Sequence, residues 1–183
     1  MEPRPSPVTD ISDAALMERL AAGDVTALAP LHHRHARGVT SLVLRLEPAA
    51  GLEEAEDVSQ EVFLTLWETA GRYQEEGRLR SWLYGIAACK ARGLGRRERS
   101  RRKALGLHSG RPVGIAAPGS RIDDRLAAQD QVGQALASLP PKQREVLVLS
   151  MVEGLSGDEV AAILGIRTGA VWVRLHRARK RLE

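Results

Sequence analysis

Apolar residues recur along most of this 183-residue chain at the three- and four-residue spacing that places them on one side of a helix. Within residues 54–69, for example, Val58, Val62 and Leu66 form one stripe, and Phe63 lies beside it. Stretches that alternate β-branched apolar residues with polar ones are almost absent, whereas Ala, Leu, Arg and Glu, which favour helix, are abundant. The pattern therefore predicts an all-α protein.

The helices predicted in the first half of the chain have recognisable boundaries. Ser12 can cap a first helix, and Asp24 can cap a second. Pro30 lies about one turn into the second helix, where it should kink the helix or shift its start. Two further helices are predicted, one over residues 54–69 and one from Ser81 into a basic stretch.

A change in composition divides the chain. Residues 104–122 are rich in Gly, Pro and Ser and show no periodicity, which is typical of a flexible linker. Helices are predicted again over residues 123–138, from Pro141 to Val152 and in the closing segment. The predicted organisation is a disordered tail over residues 1–9, a small helical domain over 10–103, a linker over 104–122 and a second small helical domain over 123–183.

The formal net charge of +4 conceals three segregated blocks. Residues 53–76 contain eight acids and one Arg, a net of −7; residues 90–103 contain eight bases and one acid, a net of +7; and residues 167–183 contain six bases and one acid, a net of +5. Such segregation predicts a basic partner for the first block and polyanions for the other two. Three solvated faces are the alternative interpretation.

The sequence gives no support for a membrane-spanning, secreted, disulfide-bonded or metal-binding protein. No apolar run reaches the roughly 18 residues of a membrane span, the N-terminus does not resemble a secretory signal, and the single Cys89 excludes an internal disulfide. His32, His33 and His35 spread around a helix instead of converging on a metal. We therefore expect a cytoplasmic protein that is not an enzyme, without catalytic residues, metal or cofactor.

The closing segment has the layout of a helix-turn-helix. A short helix over residues 158–164 is followed by Gly165, which can adopt the positive φ of a tight turn, and by Thr168, a suitable cap for a second helix. That helix has one apolar stripe, formed by Val171, Leu175, Ala178 and Leu182. The opposite face carries Gly169, Val173, His176, Arg177 and Lys180, with Arg174 and Arg181 beside it. In a helix-turn-helix such a face enters the DNA major groove; a solvated helix end or a membrane-surface helix is the alternative.

Two stretches resemble a known family. Residues 139–182, LPPKQREVLVLSMVEGLSGDEVAAILGIRTGAVWVRLHRARKRL, resemble region 4 of bacterial RNA polymerase sigma factors of the extracytoplasmic-function (ECF) group in the sigma-70 family. Residues 55–68, AEDVSQEVFLTLWE, followed by GRLRSWLYGIA, resemble region 2 of the same group. The resemblance implies a region 2 helical bundle and a region 4 helix-turn-helix. It also implies promoter-specific transcription initiation together with core RNA polymerase.

The resemblance assigns the acidic helix to the polymerase. In this family that helix binds a basic coiled coil of the largest polymerase subunit, and the matching residues here are Asp57, Gln60, Glu61 and Leu64. Contact with the flap region of the polymerase is also implied, and an anti-sigma factor is a candidate partner. For Phe63 and Trp67 we predict core packing.

The resemblance assigns residues 73–102 to the −10 promoter element, which they would open and hold as a single strand. A basic groove along the DNA backbone can offset the cost of unpairing bases. Trp82 is predicted to belong to the core and Tyr84 is a candidate platform for base stacking. The candidate groove residues are Arg78, Arg80, Lys90, Arg92, Arg96 and Arg97.

The closing helix would read the −35 element as a duplex. Family positions that face bases or phosphates correspond to Trp172, Val173, Arg174, His176 and Arg177, and the full set of candidate contacts adds Thr168 and Lys180. This chain departs from the family where Trp172 and Val173 replace a basic and a small polar residue, and at Cys89, where Asn is common. Either the preferred sequence differs, with a thymine methyl as one candidate, or Trp172 packs against a regulator or its own domain. The alternative function is a dimeric helix-turn-helix regulator that binds operator DNA without joining the polymerase.

Overall fold

The computed structural model describes residues 11–74, 78–105 and 124–183, and for residues 124–130 it describes the backbone only. All secondary structure in these ranges is helical, which confirms the all-α prediction. The predicted tail and most of the predicted linker lie outside the described residues. The α-helices are α1 (Asp13–Ala21), α2 (Leu28–Leu46), α3 (Leu52–Thr69), α4 (Leu79–Ala104), α5 (Asp124–Ser138), α6 (Pro141–Leu147), α7 (Gly157–Leu164) and α8 (Thr168–Leu182).

Local sequence explains where the first helices begin. The Ser12 hydroxyl accepts a hydrogen bond from the backbone N–H of Ala15, as the predicted cap requires. Asp24 caps a single 3₁₀ turn, Val25–Ala27, which leads into α2. Pro30 is therefore the third residue of α2, where its missing N–H costs no helical hydrogen bond.

The N-terminal helix group, α1 to α4, encloses one apolar core. The predicted stripe of α3 is buried: Val62 and Leu66 are inaccessible to solvent and Val58 and Phe63 nearly so. Fully buried side chains face this stripe from α1, α2 and α4, and they are Leu16, Leu31, Val39, Leu42, Val43 and Leu83. Packing of these apolar faces, and not helix propensity alone, holds the group together.

The C-terminal helix group, α5 to α8, contains the helix-turn-helix. Its first helix, α7, begins with a capping box in which Ser156 and Glu159 satisfy each other's backbone N–H groups. Gly165 ends α7 with φ +64°, the positive value expected of the turn. Thr168, however, does not cap α8 as predicted: it is the first helical residue, and its hydroxyl donates to the Asp158 carboxylate at 2.8 Å.

The buried stripe of α8 largely follows the prediction. Val171, Leu175 and Ala178 are buried, whereas Leu182 is exposed because it lies at the end of the helix. The helix predicted to run from Pro141 to Val152 changes character partway: α6 ends at Leu147, and a π-helical turn, Val148–Val152, follows.

The two helix groups pack against each other along α2, α4, α6 and α7. The Arg144 side chain is buried there, and its Nε donates to the carbonyl oxygen of Leu46 in α2 at 2.7 Å. The neighbouring Glu47 is also buried, with its carboxylate 3.8 Å from Arg144 Nη2. Burial raises the pKa of Glu47, and the positive charge of Arg144 opposes that rise.

Candidate nucleic-acid and polymerase interfaces

The acidic face of α3 is open to solvent. Asp57, Gln60, Glu61 and Leu64 are all exposed and follow one another at helical spacing, so the structure brings these four predicted polymerase contacts together on one face. Glu61 accepts a hydrogen bond from Lys90 Nζ of α4 at 3.2 Å. A predicted polymerase contact and a predicted DNA contact therefore pair with each other here.

The two aromatic residues of α3 differ in burial. Phe63 is buried against His32, with ring centroids 4.7 Å apart, which confirms its predicted core position. Trp67 is 46% exposed, so its predicted core packing is wrong. It follows Leu64 by three residues on the same side of α3, and the two side chains form an apolar patch beside the acids.

A cavity of about 490 Å³ between α2 and α3 was not predicted from the sequence. Gln60 lines it, together with Arg37 and Thr40 from α2. Ser59 also lines it, and its buried Oγ has no hydrogen-bond partner among the residues that the structure describes. Through this cavity, polar side chains of α2 become part of the accessible surface next to Gln60.

The predicted −10 contacts on α4 do not share one face. At about 100° per residue, Arg92 and Arg96 lie on one side of the helix, and Lys90 and Arg97 lie on another, roughly 120° away. Of the predicted set, Arg78, Arg80, Arg96 and Arg97 are exposed, whereas Lys90 and Arg92 are half-buried. A single strand that contacted all of them would have to wrap around α4.

Arg80 is held by the other helix group. Its Nη2 donates to Glu153 Oε2 at 2.9 Å, and its Cζ lies 5.0 Å from the centroid of the Tyr84 ring. Glu153, which is only 7% exposed, also accepts a hydrogen bond from Arg45 Nη1 at 2.8 Å. Sequence reasoning missed Glu153 because no local pattern connects it to α4.

The aromatic residues of α4 are largely used by the fold. Tyr84, the candidate stacking platform, is buried beneath Arg80, and burial raises the pKa of its hydroxyl. Trp82 is half-buried against the core, as predicted, and its ring centroid lies 5.0 Å from that of Tyr73. Cys89 is exposed.

The positive charge of Arg92 acts on a buried acid of the C-terminal helix group. Burial raises the pKa of the Glu145 carboxyl on α6, and the positive charges of Arg92 and Arg174 oppose that rise. One predicted −10 contact and one predicted −35 contact thus act on the same carboxyl group.

The outward face of α8 is a continuous exposed surface. It spans an arc of roughly 140° at 100° per residue, opposite the buried stripe. Most predicted −35 contacts lie on it: Trp172, Val173, His176, Arg177 and Lys180 are exposed. Arg174 lies beside this arc and is half-buried, and the hydroxyl of the half-buried Thr168 is bonded to Asp158.

Within the described ranges, no group of three His, Cys, Asp or Glu side chains is arranged to hold a metal ion. None of the helices in these ranges combines the length and apolar content that a membrane-spanning helix requires.

Comparisons with known proteins match both helix groups of the chain. Residues 31–101 match the family model for sigma-70 region 2, and residues 129–182 match that for sigma-70 region 4. The chain is 35% identical over 167 residues to the RNA polymerase sigma factor CarQ of Myxococcus xanthus, covering 91% of this chain and 93% of CarQ. It is 35% identical over 190 residues to the ECF RNA polymerase sigma factor SigD of Mycobacterium tuberculosis, covering 92% of this chain and 81% of SigD.

The fold also matches a solved complex, that of CnrH with the cytosolic domain of CnrY. The TM-score is 0.66 and the identity 27%, with 93% of this chain and 94% of that chain covered. Both sigma-70 regions, in the same order along one helical chain, identify this protein as a member of the ECF group of sigma-70 RNA polymerase sigma factors, which are non-enzymatic promoter-recognition subunits.

Proposed function

We propose that this chain binds core RNA polymerase through α3 and directs initiation by contacting the −10 element with α4 and the −35 element with α8. The observation that carries the proposal is the coexistence of an exposed acidic face on α3 and an exposed basic face on α8. An operator-binding regulator would use the second surface only and would leave the first without a role.

In this proposal residues 10–103 form the polymerase- and −10-binding domain and residues 123–183 the −35-binding domain, with residues 104–122 as the linker and 1–9 as a tail. About 20 extended linker residues reach roughly 70 Å, about two turns of B-DNA at roughly 34–36 Å each. Both domains can therefore contact one promoter at once, which raises the effective affinity.

The polymerase contact would centre on Asp57, Gln60, Glu61 and Leu64. Their exposed carboxylates complement a basic coiled coil of the largest subunit, and Leu64, 54% exposed, would supply apolar burial. The flap region of the polymerase is proposed to contact the C-terminal helix group.

The −10 contact would involve the exposed cations of α4. Because Arg80 is paired with Glu153, a DNA phosphate can use its guanidinium only after this pair breaks. Lys90 is likewise paired, with Glu61. Arg96 and Arg97 are exposed at the far end of the helix and are the simpler phosphate contacts.

The −35 contact would place the outward face of α8 in the major groove. Arg177 is suited to a bidentate contact with guanine, and Lys180 to a phosphate. Arg174 is half-buried and its positive charge acts on the Glu145 carboxyl, so it would contribute mainly charge to the DNA contact.

A regulator that masks these surfaces is a further part of the proposal. CnrH, which shares this fold, has been solved with the cytosolic domain of CnrY bound to it. By analogy, an anti-sigma protein would cover the acidic face of α3 or the outward face of α8. The protein would act in the cytoplasm, bound to the nucleoid when it is part of the holoenzyme, and would need no cofactor.

The proposal is tested by size-exclusion chromatography of the full chain with bacterial core RNA polymerase, followed by open-complex formation on a pool of genomic promoters. Co-elution and promoter-selective opening are expected. Tight binding to duplex DNA without any association with core polymerase would overturn the proposal and favour the operator-binding regulator.

A further inference from the structure

The basic face of α8 contains two exposed apolar side chains. Trp172 is 56% exposed and Val173 is 51% exposed, whereas the neighbouring His176, Arg177 and Lys180 are polar. Because these large apolar side chains stay in water, the fold lacks the stabilisation that their burial would give. Val173 points opposite the buried stripe, so its side chain contributes little to packing.

Trp172 is positioned by a glycine of the preceding helix. A Cβ atom built on Gly157 would lie 3.0 Å from Cζ2 and 3.4 Å from Cε2 of the indole, so the ring edge rests on the backbone at the start of α7. The same Cβ would lie 3.5 Å from Cγ2 of Thr168, whose hydroxyl is anchored on Asp158. The indole therefore packs against its own domain along one edge and keeps more than half of its surface open.

The position of this apolar pair indicates what it contacts. The exposed cations on the same arc favour a polyanion over an apolar protein surface. In the major groove of duplex DNA, the one apolar feature among the base edges is the C5 methyl group of thymine. The pair lies in the N-terminal half of α8, the half of a recognition helix that contacts base edges, and its apolar character matches that methyl group.

We propose that Trp172 and Val173 select thymine in the −35 duplex by contacting its C5 methyl group, and that Gly157 is a positioning residue that sets where the indole lies. This inference rests on the proposed −35 contact of α8 and deepens it by naming the base. Trp172 contributes the flat surface of its partly immobilised indole, and Val173 contributes a smaller apolar group. Because the two residues are consecutive in α8, we expect them to contact adjacent base pairs.

The experiment replaces each thymine of the −35 element by deoxyuridine, which removes only the methyl group. Holoenzyme made with the full chain is measured on its selected promoter and on each substituted duplex. At one or two positions we expect the affinity to fall about fourfold, the equivalent of one buried methyl group. The Val173→Ala holoenzyme is expected to lose sensitivity to deoxyuridine at one of those positions.

Two control variants separate this effect from general changes. Val132→Ala removes an equally exposed valine, 55% accessible, on α5, and it should keep the wild-type response to deoxyuridine. Gly157→Ala should displace the indole and change the response at the Trp172 position without changing the salt dependence of binding. Gly133→Ala, where an added Cβ meets no described atom within 4 Å, should change neither.

The outcomes distinguish this inference from the function on which it rests. A holoenzyme that initiates selectively but tolerates deoxyuridine at every −35 thymine, or whose −35 element contains no thymine, would overturn the inference and leave the proposed function intact. Loss of core polymerase binding in Trp172→Ala, with unchanged base selectivity, would assign the pair to a protein contact and also overturn it. Absence of any holoenzyme would instead refute the proposed function.

Discussion

The carboxylate of Glu153 and the guanidinium of Arg80 lie 2.9 Å apart, although 73 residues separate them in the chain. Glu153 follows the π-helical turn after α6 and is buried, whereas Arg80 belongs to α4 of the other helix group and is half exposed. Arg45 donates to the second oxygen of the same carboxylate. One acid thus joins two helices of the N-terminal group to the C-terminal group. It also pairs with Arg80, which is one of the predicted DNA contacts.

Replacing Glu153 by Gln should loosen the contact between the two groups. We expect the free energy of unfolding to fall by about 1–2 kcal/mol, because two hydrogen bonds to charged groups weaken while solvent already screens both arginines. Affinity of the isolated chain for single-stranded DNA should rise, since Arg80 becomes available. Denaturant unfolding, small-angle scattering and oligonucleotide titration measure these effects, with the exposed Glu53→Gln as control. Unchanged stability and DNA affinity would contradict the role of this pair.

Reversing one charge on α3 should prevent holoenzyme formation. Asp57→Arg is expected to weaken binding to core polymerase about thirtyfold or more, because like charges facing each other in an interface cost several kcal/mol. Asp57 is exposed, so thermal unfolding should be nearly unchanged. Glu18→Arg, the same charge reversal on the exposed surface of α1, should bind normally. Normal co-elution of the Asp57 variant would refute this assignment.

Removing one cation from α8 should reduce promoter discrimination. Arg177→Ala is expected to lower discrimination among −35 variants by roughly 1–3 kcal/mol, the usual value of a bidentate base contact. Competition binding of the holoenzyme to a panel of −35 sequences measures it. Lys142→Ala removes a positive charge from the exposed side of α6 and should leave sequence preference as it is. An equal loss of affinity for all sequences in the Arg177 variant would indicate a phosphate contact instead.

The hydrogen bonds of Glu159 predict that the stability of the fold depends on pH in the acidic range. Bonds from Ser81 of α4, and from the backbone and hydroxyl of Ser156, hold the pKa of the Glu159 carboxyl below its ordinary value of 4.5. A carboxyl group whose pKa is lower in the folded than in the unfolded state stabilises the fold. This contribution is complete when the pH lies above the pKa of the unfolded state, and it is lost as the pH falls through the pKa of the folded state. Stability should therefore decline as the pH drops below about 4.5.

The measurement is the free energy of unfolding as a function of pH. In Glu159→Gln, the decline between neutral and acidic pH should be smaller than in the wild type, and Glu18→Gln should retain the wild-type profile. An identical acid dependence in the Glu159 variant would contradict the prediction.

The turn of the helix-turn-helix should tolerate no side chain at its glycine. Gly165 has φ +64°, so Gly165→Ala is expected to lower stability by about 1 kcal/mol or more through backbone strain. Gly133→Ala, inside α5 and with no described atom within 4 Å of the added Cβ, should instead raise stability. Thermal unfolding of both variants gives the comparison, and a neutral effect at Gly165 would mean that the turn can relax.

The sequence by itself was sufficient to predict the features that depend only on residues nearby in the chain. The spacing of Val58, Val62 and Leu66 defined the buried side of α3, and Gly165 marked the turn before α8. Both follow from local rules, since helical periodicity and backbone freedom are set within a few residues. The family resemblance then supplied the functional assignments that local rules do not contain.

The tertiary structure decided which of these residues meet residues distant in sequence. It paired Arg80 with Glu153, placed Trp172 on the backbone of Gly157 and left Trp67 exposed. None of these outcomes follows from the helix to which the residue belongs, because each depends on how a second helix approaches. Periodicity specifies the direction of a side chain from its own helix axis, but only packing specifies what lies there.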